Sequence, residues 1–202
     1  YFLNSKYQIR FIGKGTNIIF TDNLSDFVFL KLGESFNKIR IDNKKFICAG
    51  ATPLQQAVRQ SAQFGLSGLE WAIGIPGTVA GAVANNSGIK EIAITDLLKE
   101  AMVIDYTGEI SNINSEELEP VYRNTRIKKE RNWIILETIF LLKKKDRVEV
   151  LDSLNEYFLK KQSTQPLNEA SAGCIFKNPK NISAGQLIEQ AGLKTKQIGG
   201  AM

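Results

Sequence analysis

Apolar residues along the chain follow two different periods, which predicts an α+β protein. Runs that alternate with polar residues, or that are continuously apolar between turn residues, indicate β-strands. Such strands are predicted at residues 7–12, 18–20, 27–30, 45–49, 133–142 and 174–176, with a hairpin over residues 102–113 around Thr107-Gly108. Most of these strands lie in the first 145 residues, so this part of the chain is expected to form a sheet.

Helical spacing occurs in three segments. Leu54, Ala57, Val58 and Ala62 share one face of a helix that begins after Thr52-Pro53 and ends at Gly65. A second amphipathic helix is predicted at residues 150–161, and Ser183 is placed to cap a third. The composition changes at Lys143-Lys144-Lys145, so we predict two domains, at residues 1–145 and 146–202.

Composition narrows the class of protein. With 202 residues, 43% of them hydrophobic, the chain can bury one sizeable core or two small ones. No apolar run approaches the roughly 20 residues of a membrane-spanning helix, and the first residues do not resemble a secretion signal. Two cysteines give no disulfide framework, so a cytoplasmic protein that does not bind membranes is expected.

Charge and the missing histidine also restrict the chemistry. The net charge of +5 suits anionic small molecules as well as nucleic acid. The basic clusters at residues 128–129 and 143–145 flank acidic residues with few aromatic residues between them, so solvated surface is favoured over nucleic-acid binding. With no histidine present, we expect no metal site and no Ser/His hydrolase triad.

Two glycine-rich segments are candidates for ligand binding. The first, Gly13-Lys14-Gly15-Thr16-Asn17, follows a predicted strand and fits a phosphate-binding loop and a hairpin turn about equally well. The second runs from Gly74-Ile75-Pro76-Gly77-Thr78 to Gly81 and on to Asn85-Asn86-Ser87-Gly88. Its small side chains allow close approach of either a cofactor or another part of the chain, and these alternatives remain open.

These segments occur together with two further motifs, and the four have a recognisable order. The others are Tyr122-Arg123-Asn124-Thr125 and the stretch Ala172-Gly173-Cys174-Ile175-Phe176-Lys177-Asn178-Pro179, followed by residues 184–189. In this order and spacing they closely resemble the UDP-N-acetylenolpyruvoylglucosamine reductase family. The resemblance implies an FAD-binding domain of the vanillyl-alcohol-oxidase/PCMH type, followed by a C-terminal α+β substrate-binding domain.

The resemblance also implies an activity and a set of site residues. The family uses NADPH and FAD to reduce a UDP-sugar enolpyruvate to UDP-N-acetylmuramate, a precursor of peptidoglycan. Arg123 matches the catalytic arginine, and a guanidinium is suited to stabilise the charge that develops on the substrate carboxylate. Cys174 stands where the family usually has a proton-donating serine. The implied flavin contacts are Gly13, Lys14, Gly15, Thr16, Asn17, Gly74, Ile75, Pro76, Gly77, Thr78 and Gly81, and the implied substrate contacts are Tyr122, Lys177 and Asn178.

Several alternatives accompany this interpretation. Cys174 lies beside two apolar residues and is also compatible with packed core, as is Cys48. The resemblance implies residues before the first glycine loop, and a catalytic glutamate beyond residue 202, that have no counterpart in this sequence. Another flavoprotein oxidoreductase with the same FAD domain, or a non-catalytic nucleotide-binding module, would share some of these features.

Overall fold

The computed structural model describes residues 7–165 and 171–201. The chain divides into two compact units, Tyr1–Glu169 and Ala170–Met202. Among the described residues, no helix is both long enough and apolar enough to cross a membrane.

A five-stranded antiparallel sheet is the centre of the first unit. Its strands are β3 (Ile39–Asp42), β4 (Lys45–Ala49), β6 (Leu98–Asp105), β7 (Ile110–Asn114) and β8 (Trp133–Leu141). Their order in the sheet is β3-β4-β8-β6-β7, so β8 lies in the middle and pairs with β4 and β6. The predicted strand at residues 45–49, the hairpin and the long strand from residue 133 are confirmed.

Two smaller sheets accompany it in the same unit. β1 (Gln8–Phe11) and β2 (Phe27–Leu30) form a parallel pair, and β5 (Leu66–Ser67) pairs with β9 (Lys143–Lys144) in antiparallel orientation. The predicted strand at residues 18–20 is wrong. These residues are exposed and belong to no strand. Their apolar character favours extended backbone, but a strand also needs a pairing partner, and none of the described residues provides one.

The described part of the first unit contains four α-helices. The first, α1 (Leu54–Gln63), buries the apolar face predicted from its sequence and packs against α4 (Arg147–Thr164). The second, α2 (Val79–Ala84), has six residues and packs against β4 and β8. Its small side chains permit this close approach to the sheet. The remaining helix, α3 (Arg126–Glu130), follows the Tyr-Arg-Asn-Thr motif.

The second unit contains one helix, α5 (Ala184–Gln190), among its described residues. Ser183 caps it as predicted: the Ser183 hydroxyl accepts from the Gln186 backbone N–H, and the Gln186 side chain accepts from the Ser183 N–H. The predicted strand at residues 174–176 is wrong, because this segment has no regular structure in the described unit. The predicted domain boundary after residue 145 concerns the flavin and substrate regions and stays a prediction.

Candidate active site

The first glycine loop, residues 13–17, follows β1 and lies against the second glycine-rich segment. Thr78 Oγ1 is 2.7 Å from the position that a Cβ atom on Gly13 would occupy. Gly15 has a φ of +73°, a conformation that favours glycine. A larger residue at position 13 would therefore collide with Thr78, and a residue with a side chain at position 15 would be strained by its positive φ.

Two further contacts join the same segments. Thr16 Oγ1 lies 3.2 Å from the place a Cβ on Gly77 would take, and Gly77 has a φ of +120°. The Asn17 side chain donates a hydrogen bond of 3.3 Å to Asn85 Oδ1. Residues 13–17 and 74–81 are distant in sequence but thus form one surface of the first unit, the glycine surface.

Backbone N–H groups on this surface fall into two sets. Those of residues 13–17, together with those of Gly77 and Thr78, donate to no other residue in the described ranges. Gly81, in contrast, donates its N–H to Thr78 Oγ1 at 3.1 Å and so takes part in the cap of α2. Free N–H groups beside glycines, where a Cβ would obstruct access, fit the diphosphate of a dinucleotide cofactor.

The start of the second segment is held by side chains that the sequence analysis did not select. Gly74 donates its N–H to Gln55 Oε1 at 3.0 Å, and the Gln55 amide donates to Ile75 O at 2.7 Å. Lys161, half-buried on α4, donates from Nζ to Ile73 O, and burial lowers the pKa of its ammonium group. Gln55 and Lys161 both lie in predicted helices, but sequence alone gives no sign of these long-range contacts.

Gly50 is another position that was missed. It is buried, its carbonyl accepts from the Ala80 N–H at 3.1 Å, and a Cβ there would overlap the Ile135 carbonyl oxygen of β8. The available signal was a run of small residues, Ala49-Gly50-Ala51, between a strand and a helix. Such a run indicates close backbone approach but does not identify the neighbour.

Arg123 stands at the tip of a tight turn. Val121 and Asn124 exchange two backbone hydrogen bonds of 3.0 and 3.1 Å across the turn. Arg123 itself has a φ of +58°, which is uncommon for a residue with a side chain. Its guanidinium carbon lies 5.2 Å from the ring centroid of the exposed Tyr122.

The guanidinium group is oriented by backbone carbonyls. Arg123 Nη2 donates to Gly88 O at 2.6 Å, and Nη1 donates to Asn86 O at 3.4 Å. A guanidinium has five N–H donors, so these two bonds leave others for an anionic ligand. The half-buried, permanently charged side chain is therefore suited to bind a carboxylate.

Helix α2 connects the glycine surface with the turn at residues 121–124, the arginine turn. Its N-cap residue is Thr78, which contacts the first loop. Near its other end, the carbonyl of Ala84 accepts from the buried Thr125 hydroxyl at 2.8 Å. Six helical residues span about 9 Å. The described part of the first unit thus holds a group of unpaired backbone N–H donors and a half-buried guanidinium near the two ends of one short helix.

Candidate residues of the second unit lie before α5. Cys174 is exposed, so the alternative that it is packed in the core is not supported. Cys48 is fully buried, which confirms the packed-core prediction for that residue. Lys177 is exposed as well. Asn178 Oδ1 accepts from the Ala184 N–H at 3.0 Å, so this side chain joins the loop to the start of α5.

No group of histidine, cysteine, aspartate or glutamate side chains in the described part of the chain could hold a metal ion. Residues 1–114 match the FAD binding domain family. The structure also superposes on 6-hydroxy-D-nicotine oxidase from Arthrobacter nicotinovorans, with a TM-score of 0.50 and 20% identity over 68% of this chain and 31% of that one. The predicted fold class, an FAD-binding domain of the vanillyl-alcohol-oxidase type, is confirmed.

Relatives with higher identity define the family more narrowly. Residues 165–202 match the C-terminal domain of UDP-N-acetylenolpyruvoylglucosamine reductase. The structure superposes on the UDP-N-acetylenolpyruvylglucosamine reductase of Thermus caldophilus with a TM-score of 0.81 and 32% identity, covering 95% of this chain and 69% of that one. The chain belongs to the UDP-N-acetylenolpyruvoylglucosamine reductase family.

Curated relatives with that name are also similar to this chain in sequence. Identity is 36% to the Bacillus pumilus enzyme, over 94% of this chain and 63% of the relative. It is 33% to the Bacillus subtilis enzyme, over 97% of this chain and 65% of the relative. The chain therefore spans about two thirds of the length of these relatives.

Proposed function

We propose that this chain carries the flavin-binding and substrate-binding residues of an NADPH-dependent reductase that converts UDP-N-acetylglucosamine enolpyruvate into UDP-N-acetylmuramate. The observation that carries the proposal is the placement of Arg123 and the glycine surface at opposite ends of α2. The similarity to named reductases supports the choice of substrate. Two free cysteines, one of them exposed, are in keeping with a reducing cytoplasm.

The glycine surface is the proposed binding site for the FAD diphosphate. We assign the contacts to the N–H groups of residues 13–17, Gly77 and Thr78, which donate to no other described residue. Lys14, exposed on the first loop, adds a positive charge. Gly74, Ile75, Pro76 and Gly81 shape the same segment, although the N–H groups of Gly74 and Gly81 are used within the protein. When bound, the flavin supplies the hydride that adds to the enolpyruvyl double bond.

Arg123 is the proposed cation for the substrate carboxylate. Addition of hydride to the double bond leaves negative charge that is delocalised into this carboxylate, so a fixed positive charge lowers the barrier. The two carbonyl contacts orient the guanidinium before substrate binds, which avoids part of the entropy cost of ordering it. Tyr122, exposed beside it, is the proposed neighbour of the sugar or nucleotide.

Cys174 is the proposed proton donor to the carbon next to the carboxylate. A thiol is more acidic than an alcohol hydroxyl, so it can donate at neutral pH. Lys177 and Asn178 are the proposed contacts to polar or diphosphate groups of the substrate. For Asn178, the bond from Ala184 uses Oδ1, so its NH2 group is the donor assigned to the substrate.

Two experiments test the proposal. The chain itself is titrated with FAD, and flavin fluorescence reports binding. Turnover is measured in a chimaeric enzyme in which this chain replaces the 198 aligned residues of the Bacillus subtilis relative, which make up 65% of that protein. We expect NADPH-dependent consumption of the enolpyruvyl UDP-sugar.

The outcomes separate the alternatives. FAD binding with no turnover of the UDP-sugar would favour another flavoprotein oxidoreductase. Failure of the chain to bind FAD, together with an inactive chimaera, would favour a non-catalytic nucleotide-binding module. The unmodified Bacillus subtilis enzyme is the positive control.

A further inference from the structure

We infer that Asn86 is a positioning residue for Arg123. The inference rests on the proposed function, in which Arg123 contacts the substrate carboxylate. Asn86 is 7% exposed and has a φ of +44°, which asparagine tolerates better than most residues. It follows Asn85, the C-cap residue of α2, and belongs to the segment Asn85-Asn86-Ser87-Gly88.

Asn86 contacts both the side chain and the backbone of the arginine turn. Its backbone carbonyl accepts from Arg123 Nη1 at 3.4 Å. Its side-chain Nδ2 donates to Val121 O at 3.0 Å, at the base of the same turn. One buried residue therefore constrains the guanidinium group and the backbone from which it extends.

The orientation of the Asn86 amide is itself determined. The buried Thr95 hydroxyl donates to Asn86 Oδ1 at 2.8 Å, which leaves Nδ2 to face Val121. A rotated amide would place its oxygen against the Val121 carbonyl oxygen, which can only accept. The Val121 carbonyl thus selects the amide orientation that holds the turn, and the Thr95 hydroxyl supports it by donating to Oδ1.

This arrangement matters because the arginine side chain is long and its backbone is strained. Arg123 has a positive φ, a conformation that persists only where neighbouring structure enforces it. If the turn relaxed, the guanidinium would move from the place of the reacting carboxylate, and small displacements of a catalytic group have large effects on rate. The glycine surface contacts the other end of α2 and would be little affected.

The test compares the two half-reactions in Asn86→Gly, made in the chimaeric enzyme. Glycine accepts the positive φ and keeps the carbonyl, so only the amide is lost. We expect reoxidation of the flavin by the enolpyruvyl UDP-sugar to slow by up to about 100-fold in stopped flow. Reduction by NADPH and the Kd for FAD should stay within about two-fold of the parent.

A double-mutant cycle tests whether the effect passes through Arg123. In an Arg123→Ala background, Asn86→Gly should change reoxidation by less than about two-fold, because the group it positions is already absent. Ser115→Ala is the matched control. It removes a 2.7 Å bond to the Thr95 carbonyl but none of the bonds to Asn86, so both half-reactions should be unchanged.

The results distinguish this inference from the proposed function. If Arg123→Ala reoxidises normally, the proposed role of Arg123 is wrong, and the inference fails with it. Suppose that flavin reoxidation is slow in Arg123→Ala. If Asn86→Gly then has a normal reoxidation rate, or if Asn86→Gly slows both half-reactions equally, only the inference is overturned. Should Asn86→Gly not fold, Thr95→Val decides: selective slowing of reoxidation supports the inference, and any other result overturns it.

Discussion

Thr78 Oγ1 has two neighbours that are far apart in sequence, Gly13 and Gly81. It lies 2.7 Å from the position of a Cβ on Gly13 and accepts from the Gly81 N–H at 3.1 Å. The same oxygen atom therefore caps α2 and limits the size of the residue in the first loop. A change in that loop should be transmitted to the start of the helix.

The first prediction concerns Gly13→Ala. The added methyl group must displace Thr78, and overpacking of this kind costs about 1–3 kcal/mol. If this cost falls on the flavin-binding conformation, the Kd for FAD should rise by about 5- to 150-fold, because about 1.4 kcal/mol corresponds to a factor of ten. Flavin fluorescence titration of the chain measures it.

Gly33→Ala is the control for this substitution. No atom lies within 4 Å of a Cβ at position 33, and the φ of Gly33 is −79°. Flavin affinity should be unchanged in this variant. A Gly13→Ala protein that binds FAD as tightly as the Gly33→Ala protein would contradict the close packing of the two loops.

Sequence pattern was sufficient for elements whose signals are local. The α1 helix has an apolar face and ends near Gly65, whose φ is +63°, and both features can be read from neighbouring residues. Residues 18–20 and 174–176 were predicted as strands from apolar character alone. Strand formation depends on a partner elsewhere in the chain, which a local pattern does not reveal.

In the candidate site, too, local motifs were predictable from the sequence and long-range contacts were not. The motif containing Arg123 was recognisable, and so were both glycine-rich segments. The contacts of Asn86, Gly50 and Lys161 were not predictable, because each joins residues that are distant in sequence. Such contacts depend on the packing of α2 and α4, which the residues of these helices do not specify by themselves.

The second prediction concerns Arg123→Ala and Arg123→Lys in the chimaeric enzyme. Loss of a group that stabilises developing charge typically costs about 10²–10³-fold in rate, and we expect this for alanine in flavin reoxidation. Lysine keeps the charge but lacks the planar fork that contacts Asn86 and Gly88, so its rate should be intermediate. Stopped-flow traces with saturating UDP-sugar measure the reoxidation rate of both variants. Equal rates for Arg123→Lys and the parent would show that only the charge matters.

The third prediction concerns Cys48 and alkaline pH. Burial raises the pKa of this thiol far above its ordinary value of 9.0, with a further contribution from Glu137. In the unfolded chain the thiol ionises near its ordinary pKa, while in the folded chain it stays protonated. The unfolded state therefore binds fewer protons above about pH 9, and stability falls as the pH rises.

The size of this effect follows from linkage. Between pH 8 and pH 10 the free energy of unfolding should fall by about 1.4 kcal/mol more in the parent than in Cys48→Ala. Urea unfolding at both pH values measures the difference, and groups common to both proteins cancel in it. The same pH dependence in both proteins would show that Cys48 does not contribute.

The last prediction concerns Cys174, the proposed proton donor. If the thiol donates the proton, Cys174→Ala in the chimaeric enzyme should slow flavin reoxidation by about 10²–10⁴-fold, the usual contribution of general acid catalysis. Reduction by NADPH does not use this proton and should keep its rate. Because Cys174 is exposed, its replacement by alanine should change the free energy of unfolding by less than about 0.5 kcal/mol. Cys174→Ser should recover much of the lost rate, since serine supplies the related hydroxyl donor. A normal reoxidation rate in Cys174→Ala would remove the thiol from the mechanism.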